Sequence, residues 1–584
     1  MSRKIPRALS VCMLVALAAC GPAAGPPTAT SQANPAPTSA AATPVTAPKA
    51  TAAGAVAASG QPKAGGTLRV ALWQEPDSLN YYFSTQTVNR ITTFMVMEGL
   101  AAYNPDGSYR PVLAAEMPTQ QNGGVSADGR TVTWKLKPGI TWSDGQPLTS
   151  DDVVFTYRVL MDAANPVASR ATYVIIDTIT ALDPTTVVVT YKSIFAAYQA
   201  AFPVVLPAHV FNGQTNIDKH PFNRAPIGTG PWVFKSWASG DTLIFDRNPR
   251  FREAGKPLLD EVIYKITPSR EASIQTFKVG DIDVLWNLIE ANIPEFEAMS
   301  DASIDPVPSP STERLHFNVS CSSGPHQGDP ACPHSVLADA GVRQAIELGI
   351  DKQGLVDQLL LSKAKVATSS IVGFFDPELP PSEYNPEKAR QMLDTAGWQA
   401  GSDGIRSKDG VRAHIAISST TGDAIREQSE QLIQEEMKAI GIELEVKNAS
   451  SPVLLGTWGG NGLAARGGHD IGMWATSFNP DPQSGLTAYM SDQIPSDRSP
   501  SGGNWWRLQD PELDKMIADA GTILDDQARK PAYKAIADRM NVDKVVIPLY
   551  RRLSVNARKN YVQGWQTNVW DALSWNSKDW WLSK

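Results

Sequence analysis

Trp134-Lys-Leu-Lys-Pro-Gly-Ile-Thr-Trp-Ser-Asp-Gly-Gln-Pro-Leu-Thr-Ser-Asp-Asp-Val-Val-Phe155 joins the end of a strand, a turn and the start of a helix. Upstream from it, Thr131 to Lys137 alternates Val132, Trp134 and Leu136 with Thr131, Thr133, Lys135 and Lys137, the period-two pattern of a half-buried strand. Pro138-Gly139 ends that strand, and Thr149-Ser-Asp-Asp152 supplies cap chemistry for a helix carrying Val153, Val154, Tyr157, Leu160 and Met161. The same two periods recur outward along the chain. Gly65 to Leu72, Thr242 to Asp246, Ala413 to Ser418, Ile442 to Lys447 and Val545 to Tyr550 read as strands. A helix is expected over 423–440, striped by Ile425, Ser429, Leu432, Ile433, Met437 and Ile440, and a helix pair through Leu513 and Tyr533. The class is mixed α/β, with no internal repeat.

The 584 residues are 42% hydrophobic and 19% charged, enough for a large core and too much chain for one, so two or three lobes are expected. No run of eighteen apolar residues occurs, which argues against a polytopic membrane protein. Sixty acids against 52 bases give a net charge of −8, the wrong sign for a nucleic-acid partner.

The N-terminus carries Arg3, Lys4 and Arg7, then the apolar run Ala8 to Ala19, then Cys20-Gly21. That order is a signal peptide over 1–19, and Leu17-Ala-Ala-Cys20 resembles the bacterial lipobox, in which the cysteine is lipidated. Losing three of 52 bases leaves 49 against 60 acids, near −11 for the mature chain. Gly21 to Ala64 is Ala, Pro, Thr, Ser and Gly with two lysines and no aromatic residue, so the segment 20–64 reads as a lipidated cysteine and a flexible leash. Such a leash reaches on the order of 35 to 40 Å. Cys321 and Cys332 remain in the exported body and bracket a Gly/Pro-rich loop, where a disulfide is the default outside the cytosol. His326 and His334 leave a zinc or nickel site as the alternative.

Catalytic constellations are absent from the sequence: no Gly-x-Ser-x-Gly elbow, no His-Glu-x-x-His and no Walker loop. No cofactor is implied. Sixteen tryptophans are the louder signal, and Trp73, Trp458, Trp474, Trp505 and Trp506 fall in loops, where flat faces with one polar N–H suit the walls of a binding cleft.

The stretch 134–155 resembles the family 5 extracellular solute-binding proteins of bacterial ABC importers, the peptide- and nickel-binding group. Glu98 to Gly107, Pro226 to Phe234 with Arg247-Asn-Pro249, Val342 to Ile346 with Ile350-Asp-Lys352, and Tyr384 to Ala389 look like further signposts in family order. The resemblance implies a periplasmic-binding-protein fold: lobe I from 65–103, 224–312 and 553–584, an inserted subdomain at 104–223, and lobe II at 313–552. It implies a lipid-anchored, exported monomer that is not an enzyme and closes over a solute, an oligopeptide first, for delivery to a permease. An oligosaccharide or other solute on the same scaffold, or an exported hydrolase, are the alternatives. In peptide-binding relatives an aspartate in the segment after a tryptophan pairs with the ligand's ammonium. Aligning on Trp474 puts Ser477 there, with Asp481 as a substitute if the loop is shifted. The expected site is therefore Trp73, Trp474 and Trp505, with Ser477, Asn479 and Asp481.

Overall fold

The computed structural model describes residues 61–584, Thr85 excepted. The segment read as a signal peptide, Cys20 and nearly all of the segment read as a leash lie outside the described residues. Ten strands form one sheet, in the order Glu443–Val446, His414–Ser419, Ile471–Ser477, Ala302–Phe317, Val546–Lys559, Val284–Leu288, Thr67–Leu72, Glu261–Ile266, Thr242–Arg247, Trp232–Ala238. Three parallel strands begin the sheet at one side, and Thr67–Leu72 pairs in parallel with both of its neighbours at the other.

Between these two regions run Ala302–Phe317 and Val546–Lys559, antiparallel to each other, 16 and 14 residues long. Their register breaks between Pro308 and Thr312, where Pro306, Pro308 and Pro310 cannot donate to the ladder. Ala302 to Ser311 is only half-buried, whereas Thr312 to Phe317 is wholly buried, so one strand passes from a solvated crossing into a core. Leu68, Val70 and Tyr264 belong to the core on one side of the crossing, and Leu315, Ile417 and Met473 to the core on the other.

The sequence-expected elements form with shifted ends. The strand at 131 stops at Lys135 because the next two residues change partners: the Leu136 N–H donates to Thr185 O and the Lys137 N–H to Leu113 O. Helix Ser150–Met161 follows, and its Asp152 carboxylate accepts the N–H of Thr149 at 2.8 Å and that of Ala208 at 2.8 Å. One side chain thus caps the helix and ties it to a distant loop. Trp134, Val187 and Tyr198 share a buried cluster with Leu68 and Val70, so segment 104–223 packs into the same core as the first strands. The long helix is Ala424–Ile440, capped by Asp423 and stopped at Gly441, whose φ of +90° a side chain would resist.

The last strand is the largest difference. Expected over 545–550, it runs to Lys559, because Arg551 and Arg552, which look like a strand end, sit in the crossing and are partnered there. Arg552 lies 3.2 Å from Glu313, 3.3 Å from Asp423 and 3.4 Å from Glu290.

Candidate functional site: an aromatic cleft between the lobes

A cavity of about 560 Å³ opens where the first helix, the 104–223 segment, the C-terminal tail and one loop of the second core meet. Helix Thr87–Val96 contributes Arg90 and Phe94, and the turn before it contributes Tyr81 and Tyr82. A short hairpin, Ala101–Tyr103 with Tyr109–Pro111, places Tyr103 opposite Tyr109, with the turn closed by Gly107 at φ +86°. Tyr173 and Gln199 come from the 104–223 segment, Trp570 and Asp571 from the tail, and Asn479-Pro480 from the far side.

Four of the tyrosine hydroxyls on this wall are already partnered. The Tyr82 hydroxyl donates to Val204 O at 2.5 Å and the Tyr173 hydroxyl to Ala201 O at 2.6 Å. The Tyr103 and Tyr109 hydroxyls share a hydrogen bond at 3.2 Å. Burial pushes Tyr103 up to about 12, and burial together with the Tyr103 neighbour pushes Tyr109 well above the usual phenol range. These phenols stay neutral, and the cavity is offered ring faces rather than ions. Its charge is confined to Arg90 and Asp571.

The six residues expected from sequence do not share one site, although Trp474 and Trp505 pack together. Trp73 stacks on Trp286 with ring centroids 6.3 Å apart and has the Arg270 guanidinium 5.0 Å from its ring. Trp474 is buried, stacked on His316 at 4.3 Å and edge-on to Trp505 at 5.7 Å, so it packs inside the second lobe rather than lining the cavity. The reason is its place on strand Ile471–Ser477, where it pairs with Arg314 of the crossing strand and stacks on the diagonal neighbour His316. Ser477 is exposed at the end of that strand, paired with Ser311. Of the six, Asn479 alone lines the cavity.

Asp481 is 5% exposed and ion-paired with Arg529 at 2.9 Å, and it accepts the Tyr533 hydroxyl at 3.0 Å and the Gln483 N–H at 3.0 Å. It has a cation already and is not a free counter-charge for a ligand. Cys321 and Cys332 are bonded, with Cα atoms 5.4 Å apart. His334 sits 3.1 Å from Asp470 and His326 is exposed, so neither imidazole joins the sulfurs in a ligand set.

The aromatic residues that do line the cavity are mainly tyrosines, whereas the loop aromatics singled out from the sequence are tryptophans. Tyr81-Tyr82 and Tyr103 flanking Asn-Pro-Asp-Gly were visible as aromatics in turn-rich sequence. Trp570 was not separable from the other tail tryptophans, because only the fold carries residue 570 back to helix Thr87–Val96.

Two lobes on one sheet, crossed by two long strands and holding a ring-walled cavity between them, define a binding protein that encloses its solute. The chain belongs to the bacterial extracellular solute-binding proteins, family 5: the model of that family's middle region matches residues 108–497. It is 26% identical over 543 residues to the oligopeptide-binding protein AppA of Bacillus subtilis (strain 168), covering 90% of this chain and 93% of that one. It is also 26% identical over 483 residues to the nickel-binding periplasmic protein of Escherichia coli (strain K12), covering 78% and 83%. The solved structure of AppA with a nonapeptide superposes with a TM-score of 0.65 at 26% identity, over 90% of this chain and 100% of that one. The substrate-binding protein CtaP of Listeria monocytogenes shares the fold at a TM-score of 0.73 and 24% identity, over 89% and 100%. The chain is therefore an exported solute-binding protein of the ABC importer class, whose members bind and deliver rather than catalyse.

Proposed function

We propose that this protein is the lipid-tethered receptor of an ABC importer, anchored through Cys20, and that it captures a short peptide in the aromatic cavity for release to its permease. The carrying observation is the cavity itself: about 560 Å³ falls within the roughly 300–1,000 Å³ of small-ligand sites. Its rings can cover apolar side chains, while Gln199 and Asn479 offer neutral hydrogen bonds. Closure follows from differential affinity: a solute touching both Trp570 and Asn479-Pro480 favours the state in which the two sides meet, and that state engages the permease.

Asp571 on the cavity wall already lies against Arg90 and Arg110, and Asp481 nearby is held by Arg529, so the free ammonium of a peptide meets no acid without a cation among the described lining residues. N-acetylation of a bound peptide should therefore cost well below about 3 kcal/mol, as no buried ion pair is broken. That same observation favours a second reading, a solute that is not a peptide. Fluorescence titration with di- and tripeptides, each free and acetylated, tests both. Tight binding of either form supports the peptide reading, and failure of every peptide beside a different solute retained from expression would replace it. The tether has a separate test: Cys20→Ala should release the protein from membranes, and retention after high-salt washing would contradict it.

A further inference from the structure

We propose that Arg90 is the anchor for a carboxylate of the solute, with Asp571 positioning its guanidinium. This deepens the reading of the same cavity as a solute site and rests on it.

Arg90 projects from helix Thr87–Val96 into the cavity wall, where 35% of its side chain stays accessible. One terminal nitrogen donates to Trp570 O at 3.0 Å, and the nearest carboxylate oxygen, on Asp571, is 3.6 Å away, beyond hydrogen-bond reach. Its Nε is buried with no hydrogen-bond partner among the described residues. Asp571 cannot neutralise it alone, because the same carboxylate lies 3.4 Å from Arg110 and its side chain is only 5% exposed. Two guanidiniums therefore share one acid, and Arg90 is the one of the two that faces the cavity. Among the described residues no second acid lines the cavity.

A guanidinium presents five N–H donors in a planar fork that matches a carboxylate. Here the terminal nitrogens keep N–H groups with no acceptor among the described residues, while neighbouring Phe94, Tyr81 and Tyr103 supply apolar faces. The chemistry selected is a carboxylate on a body that is partly apolar or aromatic. A peptide's C-terminus and the carboxylate of a non-peptide organic acid both present it, and the experiment separates them.

The full chain is titrated with Ala-Phe and Ala-Ala-Phe as free acids and as C-terminal amides, and with 3-phenylpropionate and its amide. The free acids should bind roughly 10- to 150-fold tighter than their amides, the range of one charged hydrogen-bonded contact. Arg90→Gln should erase that difference and Arg90→Lys should keep part of it. Equal binding of acid and amide overturns the proposal while leaving the peptide reading intact. Preference for the phenylpropionate acid with no peptide binding sustains the proposal and removes the peptide reading. If no probe binds, the solute retained from expression decides: a carboxylic acid depleted from the Arg90→Gln preparation supports the assignment, and an uncharged or cationic solute refutes it. The acid-against-amide comparison uses the native chain, so it stands even if a variant folds poorly.

Discussion

Two charge clusters flank the Tyr103–Tyr109 pair, and they are opposite in composition. In the second lobe two acids share one arginine: Arg529 lies 2.9 Å from Asp481 and 2.7 Å from Asp526, with its side chain fully buried. Burial opposes the charge on Arg529, but Asp481, Tyr533 and Asp526 outweigh it and hold the guanidinium above its usual value. At the cavity, Arg90 on the wall and Arg110 behind it share one acid, at distances too long for tight pairing and with both arginines partly accessible. The first cluster is committed to the fold. The second keeps its guanidiniums partly accessible, which is what a binding surface requires. Changes in the first should therefore strike stability, and changes in the second should strike affinity.

The largest expected effect comes from Arg529→Met, which leaves Asp481 beside Asp526 with no cation. Removing one partner of a buried pair typically costs about 3 to 5 kcal/mol, read from the urea midpoint. A loss under about 1 kcal/mol would erase the contrast between the clusters. Next, Cys321→Ser with Cys332→Ser opens the disulfide loop of the second lobe, for an expected loss of about 2 to 3 kcal/mol and little change in affinity.

Histidines of the same lobe give a pH test. Burial, then the Arg507 guanidinium nearby, push His469 down to about 3, and burial drives His316 down as well. Both are neutral in the fold, whereas the unfolded chain takes up protons below about 6.5, so stability is present above that pH and is lost on acidification. His469 alone contributes a slope of about 1.4 kcal/mol per pH unit, near 2 kcal/mol between pH 6.5 and 5. His469→Gln should flatten that slope, and an unchanged slope would contradict the assignment.

The smallest stability effect belongs to Asp571→Asn. Water screens the two arginines it serves, so about 1 kcal/mol or less is expected from unfolding, while the preference for acid over amide ligands should change. A large stability loss with unaltered binding would place Asp571 with the structural cluster instead.

The legible parts of this molecule were those whose physics is local. Strand 131–135 and helix Ala424–Ile440 declare themselves through period, cap and stop. The crossing strands did not, because Pro306, Pro308 and Pro310 in one and Arg551-Arg552 in the other break the expected pattern just where two lobes need a solvated hinge. The cavity was missed for a related reason. Its walls come from residues 81 to 109, 173, 199, 479 and 570, and nothing local in the sequence reports that Trp570 and Tyr103 face one space. Trp474 looked like a wall residue because it reads as a loop tryptophan near the seam between lobes, yet it lies on strand Ile471–Ser477, where the ring of His316 gives it a buried face to stack on.

A structure of the native chain carrying the solute it retains from expression tests the central claim most directly. The account predicts the solute between Trp570 and Asn479-Pro480, against Tyr103, Tyr109 and Tyr173, with an anionic group at Arg90. A solute seated instead against Trp73 and Trp286, or beside Trp474 and Trp505, would contradict it.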